Sequence, residues 1–255
     1  MGKTCKDCGK NLGFLSIFSS VERCEDCEKK FQIEQTAVKI EPQINIETIP
    51  QQKVISKQYS GSVGGKIGYY NLQEWWLNTL TAEERNTIIS LYSPLGLNPD
   101  SLTHGKITSS DQSAVAFLSD ISAWVKKPEY RKTGYKLIEK AESIVSNRTP
   151  ILDRHFLYQA KMEIYYRNRE MDDFALLSAI EACKQQIALS TKAKQVFLKQ
   201  WGQLPSHSGY KQLCIIMEKQ KNYDEVIRLA KEAKMQGWTG DWDKRIEKCM
   251  KKKST

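Results

Sequence analysis

From residue 69 to the C-terminus, apolar side chains return every three or four positions, the spacing that places them on one face of an α-helix. Asn71-Leu72-Gln73-Glu74 and Thr81-Ala82-Glu83-Glu84 read as two successive helix starts, each a capping residue followed three positions later by Glu. Ser93-Pro94 through Gly105 reads as a loop. A helix over roughly 111–126 follows, offering Val115, Leu118 and Trp124 for burial, and Pro128 suits the first turn of another helix ending near 147. Three more are expected at 151–169, 173–189 and 191–201. In the first of these, Tyr158, Met162, Tyr165 and Tyr166 are spaced to pack along one stripe.

The most regular unit spans 207–238. Tyr210, Leu213, Cys214 and Met217 share one helix face, Lys221-Asn222-Tyr223-Asp224-Glu225 makes a turn, and Val226, Ala230 and Ala233 form a small-residue face opposite. On these residues the unit resembles a tetratricopeptide repeat, in which small positions of the second helix allow close packing against the first. It departs from the pattern at Trp238, where a proline would end the repeat. Residues 158–185 match only loosely. One repeat with a degenerate neighbour is fewer than the three or so that stabilise a solenoid, so other helices must cover the exposed faces. A final helix beginning at Trp242 is expected to cap the stack through Trp242, Ile246 and Cys249.

Ahead of the helical pattern, residues 32–68 are rich in Gln, Ser and Gly and read as an extended linker. Val38, Ile40, Ile44 and Ile46 alternate across Pro42, which suits an extended connector. The run Gly61-Ser62-Val63-Gly64-Gly65-Lys66-Ile67-Gly68 fails as a phosphate-binding loop, since Ser60 and Ile67 stand where that motif needs Gly and Ser or Thr. A flexible hinge is the simpler expectation.

Cys5-Lys6-Asp7-Cys8 and Cys24-Glu25-Asp26-Cys27 form two C-x-x-C pairs fifteen residues apart, within the spacing of four-thiolate zinc sites. Each pair can turn two sulfurs toward one ion, and two pairs complete a tetrahedron. Gly9 suits the tight turn after the first pair, and Leu12 to Phe18 supplies an apolar patch beside the metal. Four cysteines close the shell and leave no position for a reacting water, so one structural Zn²⁺ is expected on Cys5, Cys8, Cys24 and Cys27. The module over residues 3–31 resembles the short zinc ribbons and knuckles of many bacterial proteins. The whole chain is similar to bacterial proteins that join an N-terminal cysteine knuckle to a helical body, on Cys5 to Cys27, Tyr70-Asn71-Leu72-Gln73-Glu74-Trp75-Trp76 and Gly240-Asp241-Trp242. That resemblance implies no reaction. The expected fold class is mainly α, a helical-hairpin, tetratricopeptide-like array with a small N-terminal zinc ribbon. Its parts are the ribbon at 1–31, the linker at 32–68 and an all-helical domain at 69–255.

The 255 residues are 40% hydrophobic, which is compatible with a packed core. No apolar run approaches the roughly 18 residues of a membrane helix, no signal-peptide core follows the start, and Lys6 stands where myristoylation needs Ser or Thr. A cytoplasmic protein without a membrane partner is expected. The formal charge of +9 is uneven: residues 68–125 carry a net −4, 126–169 a net +6 and 205–255 a net +5. Solvated outer helix faces account for most such cations. The aromatic pairs Tyr69-Tyr70 and Trp75-Trp76 read as wedges between helices, and Tyr165-Tyr166-Arg167-Asn168-Arg169 as a helix end with tyrosines inward.

The three histidines, His104, His155 and His207, belong to no catalytic or metal motif, and Cys183, Cys214 and Cys249 fall in core phases. No enzyme is expected and no small-molecule substrate is evident. The leading expectation is a protein-interaction module, an adaptor or scaffold with a protein or peptide partner. The alternative is a nucleic-acid-binding protein using the basic helical segments 126–169 and 205–255.

Overall fold

The computed structural model describes residues 4–9, 27, 63–94 and 99–254. The chain divides into two units, Met1–Gln58 and Tyr59–Thr255. The second is mainly helical, with α1 Gly65–Tyr69, α2 Gln73–Asn78, α3 Ala82–Leu91, α4 Ala114–Ser122, α5 Arg131–Ser143, α6 Ile151–Arg167, α7 Ala175–Ala188, α8 Ser190–Trp201, α9 Ser208–Lys219, α10 Tyr223–Gln236 and α11 Trp242–Lys253. Short 3-10 turns lie at Pro99–Leu102 and Pro128–Tyr130. Among the described residues of this unit no named strand forms, and Ser206 and Thr239 share an isolated parallel bridge.

The helix boundaries follow local chemistry. Thr81 opens α3 with a capping box: the Glu84 amide donates to Thr81 Oγ1 at 3.1 Å and the Thr81 amide to Glu84 Oε2 at 2.8 Å. Arg85, one turn further, turns back to donate to the carbonyls of Leu77 and Leu80, groups that the end of α2 leaves without helical partners. The start expected at Asn71 differs. Leu72 occupies the N-cap of α2 and gives no side-chain cap, while Asn71 sits at φ 55°, a left-handed conformation that Asn tolerates better than most residues. The helix expected over 111–126 is shorter, because the Ser113 hydroxyl accepts from the Ala116 amide and starts it there. Trp124, expected to be buried, is 38% exposed and packs edge-on against Tyr92. Pro128 opens a 3-10 turn, and α5 ends at Ser143, earlier than expected.

Val63 to Gly68 belong to the helical body; they are neither linker nor hinge. The Gly64 and Gly65 amides donate to the carbonyls of Thr103 and Gly105, each at 2.8 Å. Gly65 has φ +57°, and a Cβ there would collide with the carbonyl oxygen of Ser101. Glycine is therefore required by close backbone approach. The linker residues 32–62, with Val38, Ile40, Ile44 and Ile46, lie outside the described residues.

Two clusters of buried side chains form the core. The first joins α1 to α7 and includes Trp76, Phe117, Ile121, Leu137, Leu157, Ile164 and Tyr165. The second joins α6 to α11 and includes Met162, Cys183, Phe197, Tyr210, Cys214, Leu229, Trp238 and Trp242. Helices α6 and α7 supply both, so the expected single stripe on α6 is divided: Tyr165 enters the first core and Met162 the second, with Tyr158 and Tyr166 half-buried. Small residues let α7 approach closely, since Ala175, Ala179, Ala182 and Cys183 are all buried. The α9–α10 hairpin has the expected packing, with Tyr210, Leu213, Cys214, Val226, Ala230 and Ala233 buried and Met217 half-buried. Trp242 and Cys249 bury against it from α11.

Candidate metal centre and surface grooves

The first unit brings three of the four expected metal ligands together. Ligand sulfurs of Cys5, Cys8 and Cys27 lie within 4.8 Å of one another. A tetrahedral site with Zn–S near 2.3 Å would separate its sulfurs by about 3.8 Å, a spacing inside that limit. The turn that aims the first pair is explicit. The Gly9 amide donates to the Cys5 carbonyl at 2.9 Å, and Gly9 adopts φ +72°, which glycine takes without a Cβ penalty. Cys5 is buried and Cys8 exposed. The donor set, three soft thiolates at one point, fits a thiophilic metal ion. Cys24 and the Leu12–Phe18 patch lie outside the described residues.

In the helical unit, the remaining cysteines are packing groups. Burial pushes the Cys183 and Cys214 thiols up to about 12, which keeps them protonated and unreactive at neutral pH. Cys249 is fully buried as well, and its thiol also lies above the usual range through desolvation.

The histidines divide. His104 is exposed and pairs with the Thr103 hydroxyl at 2.9 Å. His155 and His207, far apart in sequence, are buried side by side with ring centroids 5.1 Å apart. Gln186 from α7 ties their elements together: its amide nitrogen donates to the His155 carbonyl at 3.0 Å, and its amide oxygen accepts from the Gly209 amide at 2.6 Å. His207 caps α9, its Nδ1 accepting from the Tyr210 amide at 3.3 Å. Desolvation lowers His155 to about 4. Desolvation, with a smaller contribution from His155, lowers His207 to about 3. Both are neutral at physiological pH. Nothing in the local sequence signals this pair, because it exists only once α6, α7 and α9 have packed.

Two grooves meet at Phe156. The first, about 380 Å³, is lined by Phe156, Phe197, Trp201, Leu204, Pro205 and neighbouring Gln203 and Thr239. The second, about 290 Å³, lies between α4 and α6 and carries the carboxylates of Asp120, Asp153 and Glu163. Phe156 and Trp201 are 44% and 56% exposed, and both line the apolar groove, so their exposed area is grouped rather than scattered.

Many cations of the two basic segments are held in ion pairs. Arg131 meets Asp172 at 2.9 Å, Lys136 meets Glu84 at 2.7 Å and Lys161 meets Glu142 at 2.7 Å. Glu218 gathers Lys248 at 2.7 Å, Lys252 at 2.9 Å and Arg245 at 3.7 Å, while Lys253 pairs with Asp224. Of the four aromatics expected as wedges, Tyr70, Trp75 and Trp76 pack inward, whereas Tyr69 is exposed with an edge-on contact to Tyr70. Trp76 is buried, and Tyr70 stacks on Phe117 at 4.9 Å while donating to the Gln112 carbonyl at 2.6 Å. In the 165–169 cluster, Tyr165 is buried against Tyr135 with rings 4.4 Å apart, and Arg169 covers the Tyr166 ring. Those rings are committed to the protein and offer little open face for stacking bases.

Compared with models of known protein families, with curated proteins and with solved structures, the chain matches none.

Proposed function

We propose that the chain is a non-enzymatic protein-interaction module, an adaptor or scaffold whose helical body receives a protein or peptide and whose N-terminal cysteines hold one structural Zn²⁺. The observation that carries the reading is the apolar groove where Phe156 and Trp201 stand partly exposed beside the buried Phe197. Aromatic side chains in such pockets dominate binding energy at protein interfaces. The α9–α10 hairpin is read as a tetratricopeptide-like unit capped by α11, on the strength of its buried small residues Ala230 and Ala233.

Zinc is the ion assigned to Cys5, Cys8, Cys24 and Cys27, because a four-thiolate tetrahedron suits it and folds a module of about 30 residues too small to hold a core alone. A cytoplasmic setting, where thiols stay reduced, suits that site. No helix among the described residues is long and apolar enough to cross a membrane.

The test is affinity capture of the tagged full-length chain from its native lysate, with and without nuclease. A defined protein retained after nuclease supports the module. Recovery that disappears with nuclease and declines steeply with salt would transfer the function to the basic segments 126–169 and 205–255, since phosphate contacts release counterions.

A further inference from the structure

Phe156 lines both the apolar groove and the acidic groove. Helix α6 supplies the wall they share. Asp153, Phe156, Ala160 and Glu163 follow at intervals of three, four and three residues and so share a face, while other residues of the helix are buried in the two cores. The opposite wall beside the carboxylates comes from α4 through Asp120, and the apolar end comes from α8 through Trp201. Among the described residues, no Lys or Arg lines either groove. On a chain with net charge +9, three carboxylates beside exposed aromatics are a local reversal of sign.

We propose that this surface docks a basic peptide segment, with a bulky apolar side chain seated at Phe156 and Trp201 and Lys or Arg side chains directed to Asp120, Asp153 and Glu163. The assignment rests on the interaction-module reading and adds the chemistry of its partner. The apolar anchor supplies affinity, and the charges select the partner and speed its encounter. Nucleic acids and acidic peptides would meet the carboxylates as like charges. At 1.5 Å per residue, Phe156 and Glu163 stand about 10 Å apart along α6, roughly three residues of extended chain at about 3.3 Å each. The basic residues therefore belong within about three positions of the anchor.

The test pans a random peptide display library on the immobilised full-length chain, then measures the most enriched peptide by fluorescence polarisation. The variants are Phe156→Ala with Trp201→Ala, and Asp153→Lys with Glu163→Lys, with circular dichroism confirming that each is folded. Enriched peptides are expected to carry Lys or Arg within about three positions of Trp, Phe or Leu, and each double variant is expected to weaken binding at least about tenfold. A peptide with Glu in place of its basic residues should bind the Asp153→Lys, Glu163→Lys protein better than the original protein. A fold defect cannot produce that reversal. Enriched peptides without basic residues, or binding that neither double variant changes, would overturn this site while leaving an interaction module elsewhere on the chain. No enrichment at all would remove the interaction reading as well. Displacement of the selected peptide by a synthetic peptide of residues 32–58, or self-association that the same substitutions abolish, would make this chain itself the occupant and overturn the assignment to a separate partner.

Discussion

The imidazole rings of His155 and His207 meet nearly at right angles inside the second core, 5.1 Å apart between centroids, and each lacks a partner for one ring nitrogen, Nδ1 of His155 and Nε2 of His207. A buried imidazole in this state stays neutral, because charging it would require desolvation without a counter-ion. Both folded-state values lie below the ordinary 6.5, at about 4 and about 3. The unfolded chain thus binds protons that the folded chain refuses. Stability is complete above pH about 6.5 and is lost as pH falls from there toward the folded values. By pH 5 the expected loss is about 2 kcal/mol per histidine, before most carboxylates titrate. Urea unfolding between pH 7.5 and 5 measures it. The substitution His207→Asn keeps a capping side chain and should flatten the profile; an unchanged slope would contradict the assignment.

Gln186 should be the most sensitive polar residue in the body. It is fully buried and bridges α6 to the start of α9 through His155 and Gly209. Gln186→Leu keeps the volume but leaves the Gly209 amide and the His155 carbonyl without this partner, at an expected cost of about 2–4 kcal/mol. Chemical denaturation checks this, and a cost below about 0.5 kcal/mol, the level of a neutral surface change, would show that water or a local shift replaces the bridge.

Ala230 is fully buried on α10 within the core shared by α9 and α11. Ala230→Leu should destabilise by about 1–3 kcal/mol or more through overpacking. Thermal unfolding reads the effect. A neutral result would show that the hairpin has room to spare and that the small residue is incidental to its packing.

Much of this arrangement is legible in the sequence where a local signal exists. The Thr81 capping box, the hairpin around Asn222 and the final helix from Trp242 all carry their own start signals, and they form as read. Helix α6 is harder, because a helix buried on two sides presents no single apolar stripe and its tyrosines divide between two cores. Asn71 resembles a cap but serves as a left-handed turn, a role its side chain fits equally well. The Gly64-Gly65 pair looks like a hinge until the Ser101–Gly105 backbone packs on it, a contact no local window can show. The cysteine spacing predicts the convergence of Cys5, Cys8 and Cys27, whereas the grooves at Phe156 depend on which residues of α6 the two cores leave outside.

The metal centre makes a separable prediction. The purified chain should hold about one Zn²⁺ bound by four thiolates, and replacing Cys5, Cys8, Cys24 or Cys27 by Ser should release it. Because the long helices among the described residues lie in the unit Tyr59–Thr255, far-UV circular dichroism should keep most of its helical signal after chelation. Metal analysis alongside the spectrum tests both parts. Retention of the metal in all four Ser variants would contradict the ligand set, and loss of helix with the metal would contradict its restriction to the N-terminal unit.

The most direct test of the interaction reading is quantitative partner capture from native lysate with and without nuclease, at low and at physiological salt, by the original protein and by the Phe156→Ala, Trp201→Ala variant. The account predicts a defined protein partner that persists in both salts with the original chain and is lost with the variant. Capture that requires intact nucleic acid, or a partner retained equally by both proteins, would contradict it.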